Sequence, residues 1–329
     1  MNQRNFGNTS LRVSEIGFGA WAIGGGAMVG NTAIGWGDAD DESSRKAIHA
    51  AMDAGINFFD TADIYGLGHS EKLIGEALGN RNDVVIATKC GNVARNEQFT
   101  TDYSKAYLIE SCEKSLQRLK RDTIDYLQLH TARLQHLQNG ECIEAMQQLQ
   151  AEGKIRYWGI SLNTFDPFPE ATFLMDAKLG SGFQLVLNMI NQRALPLLSS
   201  MQEKGYGVIA RMPLQFGLLT GKFSMETEFP KNDHRKGRLT PAIIERTEND
   251  LRSVWKLCEK YNCSRAALAL SYILSHDAVS TVIPGIRTKE HVEANTAGLF
   301  KLEDDDLQFI EEENGAAMEV LMKDIQLLG

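Results

Sequence analysis

At 329 residues, 43% hydrophobic and 23% charged, the chain has the make-up of a globular protein with a substantial buried core, and disorder is not its theme. Its formal net charge of −9 argues against broad affinity for nucleic acid or an anionic membrane, because phosphate binding needs a basic face. No apolar run approaches the roughly 20 residues that span a bilayer, and Met1–Phe6 carries no signal-peptide core, so a cytoplasmic protein is expected.

Taken in chain order, Arg4–Val13 reads as a small hairpin around Gly7-Asn8, placed to plug the bottom of whatever follows. Short apolar runs then alternate with longer amphipathic stretches, the pattern of parallel strands joined by crossover helices. The strand candidates are Glu15–Gly19, Ile56–Asp60, Val84–Thr88, Ile124–Leu129, Tyr157–Ile160, Gln184–Leu187, Gly207–Ala210 and Thr281–Ile283. Helical patterns such as Ser43–Ala54, Ser104–Leu119 and Gly140–Glu152 lie between them. Eight such units predict one closed (β/α)8 TIM barrel over residues 1–329, a size that this architecture reaches as a single domain. Two long loops are expected on it: a glycine-rich one over Gly24–Gly37, and a charged, aperiodic one over Phe223–Thr240 that is placed to act as a lid.

Five cysteines, Cys90, Cys112, Cys142, Cys258 and Cys263, are odd in number and never spaced as CxxC, so they read as small buried hydrophobes of a reduced compartment. Cys90 stands apart only through its neighbour Lys89. The seven histidines form no HExxH pair, and no GxSxG elbow occurs, so neither a metal centre nor a serine nucleophile is expected. Gly17-Phe18-Gly19-Ala20-Trp21-Ala22 matches a loose dinucleotide fingerprint, but Gly24-Gly25-Gly26 follows and forbids the helix that the fingerprint must open. Gly217-Leu218-Leu219-Thr220-Gly221-Lys222 is one residue short of a P-loop and is followed by Phe223, where Ser or Thr would hold magnesium. A backbone approach plus one lysine can still grip a pyrophosphate.

In a barrel, chemistry gathers where the strands end, and four polar residues stand there: Asp60, Lys89 and His130 closing their runs, and Tyr65 five residues beyond Asp60. Singly, each has an ordinary structural explanation; together they occupy one rim of three consecutive strands. The set suits proton transfer to a carbonyl oxygen while a hydride arrives at its carbon. A tyrosine with a pKa near 10 is too weak an acid alone, and the expectation is that the Lys89 ammonium lowers it while Asp60 aims Lys89. His130 would hydrogen-bond and polarise the substrate oxygen.

Phe59-Asp60-Thr61-Ala62-Asp63-Ile64-Tyr65-Gly66, Ala87-Thr88-Lys89 and Asp125-Tyr126-Leu127-Gln128-Leu129-His130 closely resemble the aldo-keto reductase family. The likeness continues in register through Tyr157-Trp158-Gly159-Ile160-Ser161, Pro213–Lys222 and Ile283-Pro284-Gly285-Ile286-Arg287. It implies a carbonyl reductase with Tyr65 as proton donor, supported by Asp60, Lys89 and His130, and a nicotinamide cofactor bound extended across the barrel mouth. By the same resemblance Ser161 and Gln184 would meet the nicotinamide carboxamide, Asn163 either reaching it from a different backbone position or being displaced from it, with Ala20, Trp21, Arg211 and Pro213 as further cofactor contacts. Leu214, Gly217, Leu219 and Lys222 would form the pyrophosphate loop, and Gly285, Arg287, Thr288, His291 and Asn295 the adenosine end. A guanidinium at a helix start suits a 2′-phosphate, so Arg287 favours NADPH (NADP+) over NADH. The chain departs from the family in Ser161-Leu162-Asn163, where a Ser-Asn pair is usual, in Arg211, where an aromatic often stacks on the nicotinamide, and in His291, where glutamine is common.

Trp21, Trp36 and Ile64 are candidate pocket walls, and the expected partner is a small carbonyl substrate rather than nucleic acid or membrane. A monomer or weak homo-oligomer follows from the resemblance. Two other readings stay open: an NAD-dependent sugar or polyol dehydrogenase, and a cofactor-binding regulatory subunit with little turnover.

Overall fold

The computed structural model of the chain describes residues 1–328 apart from Asn31, Trp36, Asp38, Lys231, Asn232 and Asn314. Trp36, expected as a pocket wall, thus lies outside the described residues. Eight parallel strands form the centre: β1 (Phe18–Gly19), β2 (Phe58–Asp60), β3 (Val85–Cys90), β4 (Ile124–His130), β5 (Ile155–Ser161), β6 (Gly182–Val186), β7 (Gly207–Arg211) and β8 (Thr281–Ile283). Each pairs with the next in chain order, and the bridges Ile16↔Val282 and Gly19↔Gly285 bring β1 back to β8. The predicted barrel is therefore present, with every expected strand in its place and edges shifted by no more than three residues.

Helices cross between the strands, and their starts follow local chemistry. The helix Asp41–Asp53 is capped by Asp40, whose carboxylate accepts from the Ser43 amide, and Lys105–Leu119 by Ser104, which accepts from the Tyr107 amide. The second of these buries Leu108, Ser111, Cys112, Ser115 and Leu119 against the barrel, one stripe of a 3.6-residue period.

The N-terminal hairpin pairs Gln3–Asn5 with Arg12–Ser14, as expected, and its tip drives Phe6 into the barrel floor. Phe6 is fully buried, its ring 4.9 Å from that of Tyr126 and 6.4 Å from that of Phe58. Gly182 and Gly207 make the room: a Cβ would lie 2.7 Å from the Phe6 ring at the first and 2.6 Å at the second. Burying one such ring contributes roughly 1.5–3 kcal/mol. Val13, Phe58, Val85, Ala87, Tyr126, Ile209 and Ile283 complete this inner apolar layer, while Phe59, Ile86 and Leu127 alternate outward into the larger core beneath the helices.

The Gly24–Gly37 segment is more ordered than the loop expected there: it carries an antiparallel hairpin, Ala27–Val29 with Thr32–Ile34. A second hairpin that periodicity did not reveal, Asn92–Arg95 with Gln98–Thr101, rises after β3. The charged segment after Phe223 is a loop broken by a 3-10 turn at His234–Gly237. Cys90, Cys112 and Cys142 are buried, Cys258 and Cys263 half-buried, and all five are free thiols. Cys90 alternates away from Lys89, and burial raises its thiol well above the ordinary cysteine range, so it is no thiolate nucleophile. Among the described residues no helix is long and apolar enough to cross a membrane.

Candidate active site

Strand parity builds the site. Asp60 follows Phe58 by two positions, Lys89 follows Ala87, Gln128 follows Tyr126 and Arg211 follows Ile209, so all four enter the barrel above the inner apolar layer. The Lys89 ammonium, 1% exposed, uses its three hydrogens on the Asp60 carboxylate (2.5 Å), the Thr61 carbonyl (2.8 Å) and the Tyr65 hydroxyl oxygen (3.3 Å). The other Asp60 oxygen accepts from the Gln128 amide at 3.0 Å and the Gln184 amide at 2.8 Å. The aspartate is thereby locked between four strands. An ammonium can only donate, so Tyr65 accepts from Lys89 and its own proton is left for another partner.

Tyr65 opens a tight turn in which Gly66 has φ 59°, and a Cβ there would sit 2.1 Å from the Gly24 carbonyl oxygen. Only glycine lets the two loops meet and hold the phenol over the barrel mouth. Its ring stacks on Trp21 (centroids 5.7 Å apart, 12° between planes) and meets His130 edge-on at 5.9 Å. Burial raises the Tyr65 hydroxyl above the ordinary tyrosine range and the Lys89 charge only opposes this. The expected lowering is thus overturned: desolvation of the phenolate outweighs the ammonium. Burial works against the Lys89 charge too, but Asp60 and Tyr65 outweigh it, and the ammonium is raised above its usual value. Burial, then Lys89 and Arg211, hold His130 well below the usual histidine range, so the imidazole is neutral, with its Nδ1 buried and unpartnered.

A cavity of about 990 Å³ opens over these groups. Of the residues expected around a cofactor, Ala20, Trp21, Ser161, Gln184, Arg211 and Pro213 line its inner part. Leu214, Gly217, Lys222, Gly285, Arg287, His291 and Asn295 line the rest of it. Ile64, an expected wall, lines it too. Three are not brought there. The Asn163 carboxamide accepts from the Phe165 and Asp166 amides and so closes its own turn; Leu219 is buried in the core; Thr288 stands at the N-terminus of the helix Lys289–Thr296. Asp60 is the one carboxylate lining the cavity among the described residues, against Arg211, Lys222, Arg235, Arg238 and Arg287. In a chain of net charge −9 this local excess of cations marks an anion-binding cleft.

The sequence model of the Aldo/keto reductase family matches residues 15–314. The chain belongs to that family. It is 32% identical to L-galactose dehydrogenase of Arabidopsis thaliana over 91% of this chain and 88% of the relative. It is 30% identical to the NADH-specific methylglyoxal reductase of Escherichia coli (strain K12), covering 91% of this chain and 94% of that one. Among solved structures it resembles the glycerol dehydrogenase AKR11B4 from Gluconobacter oxydans, with a TM-score of 0.77 and 29% identity over 98% of this chain and 95% of that one. This oxidoreductase family works with nicotinamide cofactors.

Several lining residues of this aldo/keto reductase escaped sequence reasoning. Phe99 on the second hairpin and Ile325 on the C-terminal helix Gly315–Leu327 could not have been found from pattern, because they reach the cavity from distant segments; Gln128, which holds Asp60 but does not line the cavity, could have been found from parity, two positions beyond Tyr126. Behind Tyr65 lies a strained carboxyl. Asp63 accepts from the Ser111 hydroxyl at 2.7 Å, but its Oδ1 is buried without a partner. Burial, and then the Glu71 carboxylate, push Asp63 up to about 7 from an ordinary 3.8. The folded chain therefore holds a proton that the unfolded chain loses between pH 4 and 7, and this contribution to stability falls across that window as pH rises. Asp63→Asn is expected to stabilise the protein at pH 8 by up to ~4 kcal/mol and to change little at pH 4. Urea unfolding at both pH values checks it, and equal effects at the two would refute the assignment.

Proposed function

We propose that this aldo/keto reductase is an NADP(H)-dependent carbonyl reductase in which Tyr65 delivers the proton and Asp60, Lys89 and His130 prepare it. The observation that supports this most is the Tyr65 hydroxyl's situation: Lys89 donates to one lone pair of the phenol oxygen, which leaves its hydrogen for a partner in the cavity, where a neutral imidazole stands beside it. The residues present fit a nicotinamide dinucleotide. The cleft is large, cationic at its outer end and holds orphaned polar atoms at its inner end. When bound, the nicotinamide supplies the hydride.

Lys89 then stabilises the phenolate left on Tyr65, and Asp60, clamped by two amides, keeps that ammonium in place. His130 polarises the substrate oxygen as negative charge gathers on it. Ser161 and Gln184 remain the candidates for the carboxamide, although one Gln184 N–H is already committed to Asp60. At the outer end Lys222 and Arg287 stand close enough to His291 to add to burial in lowering its basicity, and that cluster suits a 2′-phosphate.

Membership alone does not choose NADP(H), since one relative is NADH-specific by name. The deciding experiment is oxidation of NADPH and of NADH with an aromatic aldehyde and a diketone. Wild type is expected to prefer NADPH, and Arg287→Ala to raise the NADPH KM about 10- to 100-fold while leaving NADH nearly unchanged. Equal losses for both cofactors would remove Arg287 from phosphate recognition. The names of two similar proteins, L-galactose dehydrogenase and glycerol dehydrogenase, favour a second reading, oxidation of a sugar or polyol by the same residues in reverse. NAD-linked turnover of glycerol or a hexose without carbonyl reduction would establish it.

A further inference from the structure

Arg211 ends β7 at the inner end of the cavity, and its surroundings are unusual for a buried charge. Its Nη2 donates to the Leu162 carbonyl and the Thr164 hydroxyl, both at 3.1 Å, and its Nη1 lies 3.2 Å from the Met212 sulfur. Its Nε is buried without a partner. Among the described residues no carboxylate forms an ion pair with it. Three neutral acceptors leave the guanidinium without a direct counter-ion, the Asp60 carboxylate acting on it only through space, and arginine does not shed its proton to escape. That charge is also felt at Tyr65 and His130, the two groups that face the substrate oxygen.

The position of any hydride donor follows from this geometry. A substrate oxygen bonded to Tyr65 sits about 3 Å from the phenol, and the reacting carbons must approach to about 3.5 Å. A nicotinamide ring that reacts here lies within about 7 Å of the Tyr65 hydroxyl, and the reading proposed above, with Ser161 and Gln184 at its carboxamide, sets it beside Arg211, which lines the same cavity. The ring's charge depends on its oxidation state. In carbonyl reduction the ring's C4–H bond breaks and a C–H bond forms at the carbonyl carbon. The carbonyl π pair moves to oxygen, which takes the Tyr65 proton, and the ring changes from neutral to positive.

We propose that Arg211 makes this site discriminate between the two redox states of its cofactor, holding the reduced, neutral nicotinamide more tightly than the oxidised, cationic one. This rests on the nicotinamide-dependent reading of the same cavity. Two positive charges a few ångströms apart in a partly desolvated site repel by enough to change affinity at least tenfold. Carbonyl reduction thereby ends with a weakly held oxidised cofactor that leaves readily. Alcohol oxidation starts from the weakly held form, and its product cofactor is retained.

The test measures dissociation constants rather than turnover. Wild type, Arg211→Gln and Arg211→Lys are titrated with NADPH, NADP+, NADH and NAD+ by calorimetry, and with adenosine 2′,5′-bisphosphate, which lacks the nicotinamide. Wild type is expected to hold the reduced form of its preferred dinucleotide at least tenfold tighter than the oxidised form. Arg211→Gln should shrink that ratio to about threefold or less, Arg211→Lys should keep most of it, and the bisphosphate should bind all three alike. A wild-type ratio near or below one overturns the proposal whether or not the variants fold. So does an unchanged ratio in Arg211→Gln, or an equal weakening of the bisphosphate in that variant. If wild type binds none of the four dinucleotides, the functional reading itself falls, an outcome distinct from the loss of redox discrimination alone.

Discussion

Tyr65→Phe is expected to lower kcat by about 10²- to 10⁴-fold while the dissociation constant of the cofactor stays within about threefold. The phenol oxygen accepts from Lys89 but supplies no link in the barrel's packing that the ring alone could not keep, since the stack on Trp21 and the edge contact with His130 need only the ring. Removing the oxygen therefore removes the proton and little else. The pH dependence has a definite sign. Burial keeps Tyr65 protonated through neutral pH and beyond the ordinary tyrosine range, so reduction, which needs the acid, should be flat around neutrality and fall only in alkali. Oxidation of an alcohol needs the phenolate and should rise over that alkaline range. Steady-state rates of both directions from pH 6 to 11, with cofactor titrations of the variant, check this. Near-normal turnover in Tyr65→Phe would show that the proton comes from elsewhere.

The barrel and the polar cluster at its mouth were legible because both depend on local pattern. Runs such as Val84–Ala87 are apolar on both faces, as strands beneath helices must be, and a polar residue at the end of such a run has only the barrel mouth to occupy. That argument put Asp60, Lys89 and His130 at the barrel mouth, where the strand ends lie, and passed over Gln128, two residues before His130 and inside the strand rather than at its end. Two kinds of information were not local. The fate of Asn163 depended on whether its carboxamide would reach inward or close its own turn on the Phe165 and Asp166 amides, a choice made by three-dimensional loop geometry. The direction of the Tyr65 shift depended on how deeply the ring is buried, which spacing between Tyr65 and Lys89 cannot report. The hairpin after β3 escaped because its strands are four residues long and mostly exposed, without an apolar face to give them a period.

The second large effect concerns stability and catalysis together. Lys89→Met is expected to destabilise the protein by ~3–5 kcal/mol and to abolish turnover, because it strips the cation from a buried carboxylate and leaves Asp60 with only the Gln128 and Gln184 amides. The loss belongs to the orphaned charge rather than to the pair. Replacing both members, Asp60→Asn with Lys89→Met, should recover most of the stability, since a neutral carboxamide still accepts from the glutamines and no ion remains to be solvated. Catalysis should not return, because the phenolate on Tyr65 then lacks its hydrogen-bonded ammonium and keeps only the more distant Arg211 charge. Urea unfolding midpoints and turnover of wild type, both single variants and the double variant separate the two roles. A Lys89→Met chain as stable as wild type would mean that water reaches Asp60. A double variant that regains turnover would mean that the ammonium holds the barrel together without serving the proton transfer. The arrangement predicts instead that stability and activity part company in the double variant: the barrel tolerates an apolar or amide pair at this level, and the chemistry does not.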